Sequence, residues 1–211
     1  MADLSKLVDR IRGEIAASQE KIKQFQSQQV ESHHARQQRL TQLERLLDQL
    51  KEVWKPRLEA LAKEFGDRMQ VKPTVSPRQR EATFDVKSPV ATIRLRFSAG
   101  TDPDVTKLCL AYDLDILPIL MQYERHSEIA FPLDDAKPEA IGAWFDDRIV
   151  SFVKTYLAMH ENQYYLKDLM VEDTVIKVRF PQFAAAATRQ RNGQTYYFVS
   201  EESAAEFDRK A

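Results

Sequence analysis

Glu124-x-His126-x-Glu128 sets two carboxylates and an imidazole at alternate positions, the spacing that brings side chains to one face of a β-strand. Such groups can bind a divalent metal or move a proton. They also lie opposite Met121, Tyr123 and Ile129, so the solvated face of a half-buried strand accounts for them more simply. His33 and His34 are neighbours that a helix would splay by about 100°, too far apart to close on one ion from a single chain. A bundle of helices could bring such pairs together, but a polar interruption of an apolar stripe is the preferred reading. Arg94 and Arg96 could join Arg78 and Arg80 as an anion-binding strip, or face Asp113 and Asp115 as cross-strand ion pairs. The balanced local charge favours pairing. His160, near the end of a helical stretch, suits the negative end of the helix dipole. The acidic pairs Asp134-Asp135 and Asp146-Asp147 fit a helix start and a helix surface. The single thiol, Cys109, lies in a strand pattern with no base partner in the sequence, as a structural cysteine would.

Several chemistries have no signature here. Gly13, Gly66, Gly100, Gly142 and Gly193 are too scattered to cradle a phosphate, and neither G-x-S-x-G nor H-E-x-x-H occurs. No catalytic residue, cofactor or metal ligand set is therefore expected. A formal net charge of −1 argues against a general nucleic-acid or anionic-membrane binder. Charges recur throughout MADLSKLVDRIRGEI, unlike a secretory signal, and no apolar run approaches the roughly 20 residues that cross a bilayer. One cysteine rules out an internal disulfide, and a cytoplasmic location is expected.

The elements that would position these groups fall into three segments after the pattern of hydropathy. Residues 1–70 have one proline, Pro56, and abound in helix formers. Leu4, Val8, Ile11, Ile15, Ile22 and Phe25 are spaced by threes and fours, with Ser18 filling the gap, which predicts a coiled-coil seam. Leu40, Leu43, Leu47, Leu50 and Trp54, followed by Leu61, continue that spacing in a different phase and are the expected interaction residues. The polar run between the two stripes permits a continuous helix or an antiparallel hairpin turning near Ser32–His34. It lacks Gly, Pro and Asn, so the continuous helix is favoured, with Pro56 kinking it or marking a change of partner contact. A helix with so narrow a stripe needs a partner, and a homo-oligomer formed through this segment is expected.

Residues 71–80, VKPTVSPRQR, read as a linker. From 81 to 168 the period becomes two: Ala82, Phe84 and Val86; Ala91, Ile93, Leu95 and Phe97; Leu108, Leu110, Tyr112 and Leu114; then Met121, Tyr123, Ile129 and Phe131. This predicts an antiparallel sheet of about four strands with one wet face. Pro138 opens a helix whose Ile141, Phe145, Ile149, Phe152, Val153, Tyr156 and Leu157 would cover the dry face, giving an α+β domain.

Residues 169–211 predict a small ββα piece. Val175 and Val178 suggest a first strand. Asn192-Gly193 marks a tight hairpin, and Ser200 is placed to cap a helix over 201–209. Asp173, Val175, Tyr196, Tyr197, Phe198, Ser200 and Phe207 stand at the spacing of D-P-V-C-G-M followed by Y-Y-F-C-S-x-x-C-x-x-x-F. This tail thereby resembles a YHS domain, a module often attached to metal-handling proteins. Ile176, Val199 and Ser203 occupy its cysteine positions, so the resemblance implies a scaffold without thiolate chemistry, with Ile and Val filling its small core. Tyr197 should face away from Tyr196 and Phe198 as a further interaction residue.

Together these readings describe a non-enzymatic oligomeric scaffold with a metal-free YHS-like module and an unidentified protein partner. Two alternatives are a metal sensor or chaperone using non-cysteine ligands such as the histidines, and an enzyme with a site around His126.

Overall fold

A computed structural model describes the backbone of residues 2–210 and the side chains of residues 8–210. The first element is one uninterrupted helix, α1, Ala2–Phe65. At 1.5 Å per residue it extends roughly 96 Å. The polar run around His33-His34 is helical throughout, as expected from its lack of turn residues. The helix also continues through Pro56. Proline there removes the amide that would bond the Glu52 carbonyl, a loss the surrounding packing tolerates.

Five strands follow as an antiparallel meander in chain order: β1 Met69–Ser76, β2 Gln79–Val86, β3 Thr92–Thr101, β4 Lys107–Leu117 and β5 His126–Pro132. The expected linker at 71–80 is instead most of a hairpin, with Met69 opposite Val86 and Ser76 opposite Gln79. Its prolines misled the reading for a physical reason. Pro73 sits on an edge strand, where a missing amide disrupts no ladder, and Pro77 lies in the turn between strands. The sheet accordingly has five strands rather than about four. The last expected run also splits, because residues 118–125 leave the sheet and only 126–132 pair with β4.

Helix α2, Pro138–Glu161, begins with proline in its first turn, as its sequence dictates. Ile141, Phe145, Phe152, Tyr156 and Met159 are buried, whereas Leu157 is exposed. The dry face of the sheet is covered by this helix together with the second half of α1. Leu43, Leu47, Leu50, Trp54, Leu61 and Phe65 join Phe84, Leu95, Phe97, Leu110 and Leu114 in one core. Ring centroids of Phe97 and Phe145 lie 5.3 Å apart, and those of Phe65 and Tyr156 lie 4.9 Å apart. Gly142 lets the two helices approach. A Cβ there would stand 2.7 Å from the Arg57 guanidinium, which crosses α2 to pair with Asp146 at 2.8 Å.

This packing corrects the expected division of the chain. The stripe Leu40–Trp54 is not free for another molecule, because Leu43, Leu47 and Leu50 are essentially inaccessible inside the chain's own core, with Trp54 and half-buried Leu40 beside them. Spacing by threes and fours specifies an apolar face but not what covers it. A boundary at residue 70 would therefore cut through the core.

After the short helix α3, Gln163–Leu166, the tail folds as two hairpins and a helix. These are β6 Met170–Glu172 with β7 Arg179–Pro181, β8 Ala187–Arg191 with β9 Gln194–Phe198, and α4 Glu201–Arg209. Val175 and Val178 lie between β6 and β7, not in a strand. Asn192 and Gly193 both take positive φ, 52° and 78°, the geometry of the expected two-residue turn. Ser200 caps α4 by accepting the Ser203 amide.

Because Leu47 is fully buried, Leu47→Ala should cost roughly 2–5 kcal/mol in urea unfolding followed by tryptophan fluorescence. The loss should not depend on protein concentration, as it would if Leu47 served a contact between molecules.

Candidate functional site

The largest unpartnered feature is the first half of α1. Every described residue from 8 to 34 is exposed, and contact with the rest of the chain begins around Arg36, which donates to the Pro103 carbonyl at 3.0 Å. Along this rod Val8, Ile11, Ile15, Ile22 and Phe25 form a stripe interrupted at Ser18, with exposure rising from 38% at Val8 to 61% at Phe25. Leu4, the first residue of the expected seam, lies outside the residues whose side chains are described. Single exposed apolar residues are ordinary, but a row of them on one isolated helix is not. The polar run separates this stripe from the expected interaction residues Leu40–Trp54, which are buried or, at Leu40, half-buried.

A second apolar surface lies where α1 passes over the edge of the sheet. Trp54, Leu58 and Ala62 form one wall and Val71 and Val75 of β1 the other, above Phe97 and Phe145, enclosing a groove of about 580 Å³. Asp48 and Arg80 pair across one end at 2.9 Å. The groove arises because the dry face of β1 extends beyond the reach of α1, leaving Val75 72% exposed.

The groups with possible chemistry separate on folding. Glu124 lies outside β5 and receives Arg148 of α2 at 2.5 Å, so it does not share a strand face with His126 and Glu128. On the wet face the His126 ring sits 2.7 Å from Asp113, whose other oxygen takes Arg96 at 2.8 Å. The Asp113 hydrogen bond raises the His126 pKa. Arg94 pairs with Asp85 at 2.9 Å rather than with Asp115, and Lys72 shares that carboxylate at 2.6 Å. The wet face is thus a lattice of ion pairs. His33 and His34 remain exposed on the rod with ring centroids 6.1 Å apart. His160 is engaged at both nitrogens, by the Tyr156 carbonyl at 2.8 Å and the Ser88 hydroxyl at 3.2 Å. Cys109 is half-buried, and burial raises its thiol pKa. Among the described residues, no three or more His, Cys, Asp and Glu side chains are grouped so as to hold a metal ion.

In the tail the organising group is Asp173, which the sequence reading used only as a marker. It is fully buried and accepts four hydrogen bonds: Val175 N at 2.9 Å, Ile176 N at 3.3 Å, Val199 N at 3.1 Å and Ser203 Oγ at 2.6 Å. Ile176, Val199 and Ser203 are the positions that hold cysteine in the resembled pattern, and all three converge on this carboxylate. Ile176 and Val199 do not fill the small core as expected. Both are exposed, while the core consists of Ala187, Phe198 and Ala204 with Val175, Tyr196 and Phe207. Tyr196 and Phe198 stack on Phe207, and Tyr197 turns to the other face, where its hydroxyl accepts from Gln182 at 2.5 Å.

Compared with family models, curated proteins and solved structures, the chain matches none of them. The fold is α+β, and no helix among the described residues is long and apolar enough to cross a membrane.

Burial alone would raise the Asp173 pKa, but the hydrogen bonds from Ser203, Val175, Val199 and Ile176 outweigh it and lower the pKa from 3.8. A depressed folded-state pKa contributes stability that is present above the unfolded value near 3.8 and disappears as pH falls through the folded one. Asp173→Asn should weaken the tail by about 1–3 kcal/mol at neutral pH. Amide exchange at Val175 and Val199 should then accelerate, and the gap between variant and parent should narrow below pH 4.

Proposed function

We propose that this protein is a non-enzymatic scaffold that self-associates through the first half of α1 and displays an α+β head. Its tail would serve as a metal-free YHS-like module. The carrying observation is the stripe Val8–Phe25 on the half of α1 whose described residues, 8 to 34, are all exposed. An isolated helix gains most of its stability from packing an apolar face, so this rod is far better stabilised against another helix than in water. The wet-face carboxylates and cations are already paired with one another, which supports a structural role for them. The tail supports the same reading, because a carboxylate hub joins the positions that the resembled pattern gives to sulfur.

Sedimentation velocity at micromolar concentration should show a species larger than the 24.5 kDa chain. Ile15→Asp with Ile22→Asp should return it to a monomer. Both side chains are remote from the head, so the head's unfolding free energy should move by less than about 0.5 kcal/mol. A wild-type monomer would overturn the proposal.

A further inference from the structure

The stripe carries information about direction as well as about association. On the heptad spacing, Val8, Ile15 and Ile22 occupy one set of seam positions, and Ile11, Ser18 and Phe25 the other. Glu14 and Lys21 flank the seam on the same side. When two copies run parallel and in register, each seam residue meets itself. Ser18 faces Ser18 and leaves a gap, and Phe25 is crowded against Phe25. Glu14 then lies beside Gln19 of the second copy and Lys21 beside its Gln26, so neither charge finds a partner.

Reversing one copy about a point between Ala16 and Ala17 changes every layer. Val8 meets Phe25, Ile11 meets Ile22, and Ile15 meets Ser18 of the second copy. Each large side chain then faces a smaller or branched one, as a filled seam requires. Glu14 comes beside Lys21 of the second copy, and the twofold axis repeats the pair. Arg12 faces Gln19, so no like charges oppose one another. Volume and charge thus select the same arrangement, although they come from different residues. The exposure of the stripe residues from 8 to 25 leaves this surface open to a second copy.

We infer that two copies pair through residues 8–25 of α1 as an antiparallel two-helix rod, Val8 against Phe25 and Glu14 against Lys21. This rests on the self-association proposed above and deepens it. The heads then lie at opposite ends, where contact with the rod begins near Arg36, separated by roughly 60 Å along the axis at 1.5 Å per residue. Such an assembly is a bipolar spacer. It can bridge two binding partners but cannot cluster both heads on one.

Disulfide trapping of the full chain in a Cys109→Ser background tests the direction. Val8→Cys and Phe25→Cys variants are mixed and oxidised mildly, with sedimentation velocity run on the reduced mixture. The expected result is a covalent dimer from the mixture and almost none from either variant alone, because identical positions then lie about 25 Å apart. Dimers from each variant alone would establish the parallel arrangement and overturn the inference. Association without any trapped product would overturn the register. A monomer in sedimentation would instead remove the self-association beneath it. Charge reversal provides a second reading without cysteine. Glu14→Lys should weaken the dimer about tenfold, and adding Lys21→Glu should restore it. Equal affinities for all three proteins would contradict the pairing.

Discussion

The structure depends on one packing arrangement: the face Leu43–Phe65 of α1 laid with α2 across the dry side of the sheet. Without it, Phe84, Leu95, Phe97, Leu110 and Leu114 would lie open along one side, because α2 alone does not span five strands. The contact is dense in aromatic rings, with Trp54 near Phe145 and Phe65 between Phe152 and Tyr156. Burial of side chains this large supplies most of the favourable free energy of a small domain. Arg57 fixes how the two helices meet by lying over Gly142 and binding Asp146.

Anchoring one half of a helix gives the other half a direction. The rod projects because helix formation is cooperative: once residues 43–65 are held, the turns before them propagate from an existing nucleus. Its sequence favours this, with no proline before Pro56 and few β-branched residues between Gln24 and Arg39. The molecule thus has a folded end and a projecting rod whose apolar stripe, from Val8 to Phe25, is left exposed. The self-association proposed above is a reading of that imbalance, and the antiparallel direction inferred for it rests on the volumes and charges along the seam.

Much of the fold was legible from periodicity. Alternation at Ile93, Leu95 and Phe97 and at Leu108, Leu110 and Tyr112 marked the two central strands, and Pro138 marked the start of α2. Asn192-Gly193 and Ser200 set the last hairpin and helix by local chemistry that tertiary context did not override. The edge hairpin was misread because its prolines sit where an edge strand tolerates them. The stripe Leu40–Trp54 was misassigned because one apolar face looks the same whether a sheet or another molecule covers it. Asp173 was underrated because its role depends on amides up to 26 residues away, which no local pattern reveals. The groove beside Val71 and Val75 depends on how far α1 reaches over β1, a tertiary distance that sequence spacing does not encode.

The division of α1 into an anchored half and a projecting half is the claim on which the account turns. Hydrogen–deuterium exchange along the helix, measured over a hundredfold range of protein concentration, tests it most directly. Amides from Leu43 to Phe65 should exchange slowly at every concentration, since their protection comes from their own chain. Those from Val8 to Val30 should exchange rapidly when dilute and slow markedly as the concentration rises. Uniform, concentration-independent protection along the whole helix, or protection of residues 43–65 that vanishes on dilution, would contradict the account.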